Sequence, residues 1–102
     1  MDIKFNSVDD TLYISLIGEL DDCASGYARD VIDDNLRKYT YNNVVFDMSD
    51  LTFMDSTGIG VLIGRYKYLK NKRVDAYISN PTSTVEKIFR MSGIYEIMPK
   101  IS

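Results

Sequence analysis

A chain of 102 residues that is 45% hydrophobic and 26% charged has the composition of one ordinary folded module, too short for two cores and not biased toward disorder. Its net charge of −3 and pI near 4.8 leave no basic face of the kind that binding to a nucleic-acid backbone requires. The absence of histidine excludes a Ser-His-Asp triad and an imidazole zinc site, and a single cysteine excludes an internal disulfide.

Ile3 to Phe5 and Leu12 to Ile17 alternate at period two around Ser7-Val8-Asp9-Asp10, which predicts an N-terminal hairpin with Leu12, Ile14 and Leu16 facing in. Gly18 is expected to end the second strand. Glu19-Leu20-Asp21-Asp22 then leads into a helix from Cys23 to Tyr39 whose inner stripe is Ala28, Val31, Ile32, Asn35 and Leu36. Asp21 is a natural N-cap for it, and Gly26 weakens its start by roughly 1 kcal/mol relative to alanine. Cys23 reads as a small buried or half-buried filler.

Val44 to Met48 is a β-branched and aromatic run after the Asn42-Asn43 turn signal, and predicts a central strand that feeds a loop. At the end of that loop, Asp55 or Ser56 can cap a helix in which Ile59, Leu62, Ile63, Tyr66 and Leu69 share one stripe. On the local pattern alone, a serine at a helix start is a cap. The same position also aims free amides and the positive end of the helix dipole at whatever the Ser56 hydroxyl carries, so a phosphate would be well received there. Val61 and Gly64 are expected to face away from the apolar stripe, and Gly58 and Gly60 to allow a second backbone close approach; packing of helix on sheet is the other reading of all three glycines. The cations Arg65, Lys67, Lys70, Lys72 and Arg73 gather at the helix C-terminus, where the dipole favours them.

Val74 to Ser79 predicts a further strand, and Asn80-Pro81 a helix with Pro81 at its first position and Val85, Ile88 and Phe89 buried. Gly93 should stop that helix, and Ile94 to Met98 should form a last edge strand. Alternating strands and helices of this kind give an α/β fold, an N-terminal hairpin plus βαβαβ, with a mixed, mostly parallel sheet packed against helices. No signal peptide or membrane-length apolar run is visible, which predicts a cytoplasmic protein of one domain, residues 1–102.

Three segments, Gly18-Glu19-Leu20-Asp21, the run from Asp50 to Lys67, and Met91-Ser92-Gly93-Ile94-Tyr95, resemble in order and spacing the STAS-domain anti-sigma factor antagonists. The resemblance implies the STAS fold and a regulatory rather than catalytic role. It implies that Ser56, not Thr57, is phosphorylated by a partner anti-sigma factor that is a serine kinase, with a serine phosphatase to reverse the change. It places the Asp21 loop beside that serine and assigns partner binding to a surface of Asp21, Asp55, Ser56, Thr57, Gly58, Gly60, Val61 and Gly64. The free protein is expected to be a monomer with no cofactor or metal, binding neither nucleic acid nor membrane. Which sigma pathway it serves, sporulation or general stress, stays open. At Asp22-Cys23 the chain departs from its longer relatives.

Other chemistries fit less well. There is no Gly-Lys-Ser/Thr phosphate loop, so ATP and magnesium must come with the partner. Gly58, Gly60 and Gly64 superficially match a dinucleotide fingerprint, but such a fingerprint starts at the end of a strand and Ser56 is expected well past Met48. A receiver-like site on Asp21, Asp22 and Asp47 fails because Asp47 lies inside its strand and Pro99-Lys100 has the wrong order. Weak nucleotide binding or hydrolysis at the Ser56 surface is a further alternative.

Overall fold

The computed structural model describes every residue, Met1–Ser102. Strands β1 (Asp2–Val8) and β2 (Thr11–Leu20) form the expected hairpin. It closes more tightly than expected, with Val8 opposite Thr11 and only Asp9-Asp10 between them. Asp9 takes a φ of 53°, the left-handed conformation that such a tight turn needs and that a short polar side chain tolerates.

β2 is the spine of the sheet. On one side it pairs antiparallel with β1; on the other it pairs parallel first with β3 (Asn43–Asp47) and then with β4 (Leu51–Met54), while β3 pairs parallel with β5 (Asp75–Ser79). Two expectations are corrected here. Gly18 does not end β2: with φ of 103° it carries the strand through a bulge, its amide donates to Asp50 O, and pairing resumes at Glu19 and Leu20. Leu51 to Met54, expected to be loop, is a strand, and its burial follows no period of two: the outer residues are buried and Thr52 and Phe53 are exposed.

The core lies on the face lined by Leu12, Ile14 and Leu16; Leu12 and Ile14 sit in register with Val44 and Phe46 on β3 and, through β3, with Ala76 and Ile78 on β5. Two helices pack against it, α1 (Asp22–Lys38) through Ala28, Ile32 and Leu36, and α2 (Ser56–Asn71) through Ile59, Leu62 and Leu69. They also meet each other. Arg65 Nε lies 3.0 Å from Asp33 Oδ1, and both side chains are largely shielded from solvent. Cys23 is exposed in the first turn of α1, not the buried filler expected.

Helix α3 (Ser83–Ser92) starts later than Pro81, which lies outside it. The cap is Thr82, whose hydroxyl accepts from Val85 N and donates to Leu51 O at 3.0 Å, fastening the start of α3 to β4. Gly93 ends the helix in the left-handed conformation, φ 73°, as expected of a C-terminal glycine. Ile94 to Met98 is not a strand: Ile94–Glu96 is a short 3₁₀ turn that buries Ile94 and Met98. The edge position falls to the chain's last residues, where Ile78 N donates to Pro99 O, Ile101 N to Ile78 O and Asn80 N to Ser102 O. Glu86 latches this tail, accepting from Tyr95 OH at 2.9 Å and from Lys100 Nζ at 3.2 Å and pairing with Arg90 at 3.0 Å.

Partial desolvation pushes the Glu86 carboxyl up, but the hydrogen bonds from Tyr95 and Lys100 and the charges of Lys100 and Arg90 outweigh it and hold the group below its ordinary 4.5. Its contribution to stability is therefore complete above pH 4.5 and is lost as pH falls through the lower folded value. Denaturant titrations of wild type and Glu86→Gln should differ most near neutrality and converge in acid. A gap that stays constant down to the acid limit would show that the latch does not titrate.

The glycines of α2 make a second prediction. A β-carbon at Gly58 would lie 2.4 Å from Leu20 O and 3.0 Å from Leu20 Cγ and Met54 Cγ, whereas one at Gly60 meets nothing within 4 Å. Gly58→Ala should cost about 2 kcal/mol or more and lower Tm by about 10 °C. Gly60→Ala should raise stability by about 0.5–1 kcal/mol, since alanine loses less backbone freedom in a helix. Thermal melts of the two variants check both signs.

Candidate functional site

Parallel pairing brings Leu20 of β2 opposite Met54 of β4, so the two strands finish side by side. Each is followed at once by an aspartate and a helix. Asp21 and Asp55 adopt the same extended conformation, φ/ψ −108°/−173° and −111°/−174°, and each caps its helix: Asp21 Oδ1 accepts from Ala24 N and Asp55 Oδ1 from Gly58 N, both at 3.0 Å. The Asp55 carboxylate does more. Its second oxygen accepts from Asp22 N at 2.9 Å, so one side chain binds the first turns of both helices.

Two positive helix ends therefore converge beyond the C-terminal ends of parallel strands, the place where α/β sheets generally present ligand sites. Between Asp55 and Ser56 as the cap, the structure selects Asp55. Ser56 is the first residue of α2 and is exposed, with its hydroxyl left out of the cap. Thr57 and Gly60 are exposed beside it, with Gly60 one turn along on the same side.

Two expected contact residues face inward instead. Gly58 is buried against the end of β2, where the approach of α2 to Leu20 O leaves no room for a β-carbon. Val61, expected to point away from the core, is 8% exposed. It stands one turn before Arg65 and shares the flank of α2 that meets α1, a second buried face that the main apolar stripe does not reveal. Gly64 is half-buried, but a β-carbon there would meet nothing within 4 Å, so close packing does not require this glycine.

The electrostatics are one-sided. Glu19, Asp21, Asp22 and Asp55 lie on or beside the two loops, while the chain's ion pairs are formed elsewhere, by Asp30, Asp33, Asp34 and Glu86. These carboxylates do not assemble a metal site: no group of three or more His, Cys, Asp or Glu side chains is placed to hold an ion. Asp47 is turned to Ser15 Oγ and Ser49 N, away from Asp21 and Asp22, which removes the receiver-like arrangement. The dinucleotide reading loses its original objection, because β4 ends just before Asp55. It fails on another ground: Gly58, Gly60 and Gly64 all lie inside α2 and not in the turn that precedes it. No helix is long and apolar enough to cross a membrane.

Beside Ser56 opens a cleft of about 440 Å³ between β4, the first turn of α2 and α3. Its walls are mainly Phe53, Ile59, Ile88 and Met91, and Ser56 and Asp55 form one rim. Phe53 and Met91 did not stand out in the sequence as site residues. Phe53 lay in what read as loop, and nothing in hydropathy separates an exposed methionine at a helix end from a buried one.

The family model for the STAS domain matches residues 2–102. An anti-sigma F factor antagonist of Paenibacillus polymyxa is 34% identical over 88 residues, which are 86% of this chain and 75% of the relative. The structure of the anti-sigma factor antagonist SpoIIAA in its unphosphorylated form matches with a TM-score of 0.81 at 29% identity, over 99% of this chain and 89% of that one. That of the Bacillus cell fate determinant SpoIIAA in the phosphorylated form matches with a TM-score of 0.72 at 28% identity, over 99% and 92%. With the same fold along its whole length and that degree of identity, the chain belongs to the STAS-domain anti-sigma factor antagonists.

Proposed function

We propose that the unmodified protein binds an anti-sigma factor through the Asp21–Ser56 surface, freeing the sigma factor, and that the same partner, a serine kinase, ends the interaction by phosphorylating Ser56. The observation that carries this reading is the division of labour at the start of α2. Asp55 satisfies the first-turn amide of Gly58, so the adjacent Ser56 hydroxyl stands exposed on a fixed helix end with no capping duty.

In the transfer, Ser56 Oγ attacks the γ-phosphorus of ATP, ADP leaves, and the hydroxyl proton passes to a base. That base belongs to the partner, since this chain has no histidine and its nearest carboxylate, Asp55, is engaged by two amides. Metal and nucleotide arrive with the kinase, and a serine phosphatase restores the hydroxyl.

The modification adds about −1.5 to −2 charges to a loop pair that is already acidic. The dipole of α2 offsets part of this by about 0.3–1 kcal/mol, so the fold survives. A partner that still holds nucleotide presents phosphate to the same oxygen. A unit pair of like charges about 5 Å apart at an effective dielectric near 20 costs roughly 3 kcal/mol before screening, more than a hundredfold in affinity. Binding is lost while folding is kept, without any rearrangement of the sheet.

Ser56→Ala should fold, bind the cognate anti-sigma factor with wild-type affinity and resist phosphorylation; mass spectrometry finding phosphate on Thr57 in this variant would refute the site. Ser56→Asp should bind at least tenfold more weakly by calorimetry with Tm changed by no more than about 2 °C, the inhibition being partial because aspartate carries less charge than phosphoserine. Equal affinity of Ser56→Asp and wild type would exclude charge as the signal.

A further inference from the structure

We propose that the cleft beside Ser56 is the anchor site for the kinase, receiving one large apolar side chain (Leu, Ile, Met or Phe) from a partner segment that carries a Lys or Arg next to it. The inference rests on the reading of Ser56 as phosphoacceptor and adds to it the residues that set the pose of the hydroxyl and the chemistry of what they bind.

Three observations carry it. The cleft is continuous with the phosphoacceptor, because Ser56 and Asp55 form its rim. Its apolar walls include side chains that the free fold leaves partly or almost wholly in solvent. Met91 is 88% exposed and Phe53 41% exposed, whereas their neighbours Met54 and Phe89 are sealed in the core. The turn around Met91 is secured without it: Ser92 Oγ donates to Phe89 O at 2.9 Å and accepts from Ile94 N at 3.3 Å, and Gly93 takes the left-handed conformation. Met91 is thus held out over the cleft by a turn whose stability does not involve its side chain. A flexible, polarizable thioether of this kind adapts to an entering hydrophobe.

The charge beside the cleft selects the occupant. Glu19 stands opposite Phe53 across the β2–β4 pairing, and Asp55 reaches from the rim to the Asp22 amide, yet neither acid has a cation within the chain. A second copy of this acidic surface would meet like charge, whereas a segment pairing a hydrophobe with a cation satisfies both the cleft and its rim. Anchoring a few ångströms from Ser56 Oγ fixes the hydroxyl in line with the donor phosphate, so the cleft contributes to phosphorylation as positioning and not as chemistry.

Binding and phosphorylation of the full chain by the cognate anti-sigma factor with ATP and magnesium test this, using Met91→Glu, Phe53→Ser and, as a control at the opposite end of the sheet, Val8→Glu. Met91→Glu should raise Kd at least tenfold and lower kcat/KM for Ser56 phosphorylation mainly through KM. Its Tm should match wild type, Met91→Leu should restore affinity, and Val8→Glu should bind normally. Phe53→Ser should weaken binding in the same way. If Met91→Glu and Phe53→Ser bind within twofold of wild type while wild type is phosphorylated on Ser56, the anchor is overturned and the switch stands. If Met91→Glu instead splits a wild-type dimer on gel filtration and leaves Kd unchanged, the cleft holds a second copy and the proposal falls. Wild type that neither binds the anti-sigma factor nor accepts phosphate overturns both.

Discussion

The geometry of this molecule depends on two parallel strands that end in step. Because Leu20 and Met54 are paired, the residues that follow them start two helices side by side, and an aspartate at each start satisfies the first-turn amides. The Asp55 carboxylate then crosses from one helix to the other through Asp22 N. The arrangement also demands that α2 leave the sheet almost touching the end of β2, which is why residue 58 has no side chain. The position of Ser56 follows from hydrogen bonds and sterics that involve its neighbours and leave its own hydroxyl unused.

Under the proposed switch, that separation explains how a modification at Ser56 can be a signal without being a perturbation. A phosphate on the first residue of a helix is electrostatically tolerated by the helix and added to a surface already rich in carboxylates. Its effect is felt by whatever is docked there. In the proposed docking, the apolar cleft and the acidic rim divide recognition in the same way, one supplying desolvated contact and the other orientation.

Much of this was legible in the sequence. The stripes of α1 and α2 and the alternation of β1 and β2 are strong periodic signals, and Ala28, Ile32, Leu36, Ile59, Leu62 and Leu69 fell where periodicity placed them. The hairpin and the Gly93 stop were likewise written in local chemistry. What was not legible depended on neighbours distant in the chain. β4 is too short to show a period, and the register shift opposite Gly18 and Glu19 leaves Thr52 as an extra residue, so Thr52 and Phe53 share the outer side and only the ends are buried. Gly18 read as a terminator because glycine usually ends a strand, whereas here it permits a bulge. Val61 read as exposed because a single stripe describes a helix with one neighbour, and α2 has two. For the same reason Gly58 and Gly60, indistinguishable in sequence, turn out to face opposite environments.

The residues that hold this end of the molecule together and those that show themselves to solvent are different sets. Asp21, Asp55, Gly58 and Thr82 are committed to backbone partners, while Gly60 and Met91 owe the fold almost nothing and Phe53 leaves a large part of its ring in solvent. Under the proposed docking, lineages carrying this scaffold can therefore exchange one regulator for another by altering a handful of outward side chains, with little penalty in folding and no need to move Ser56 Oγ.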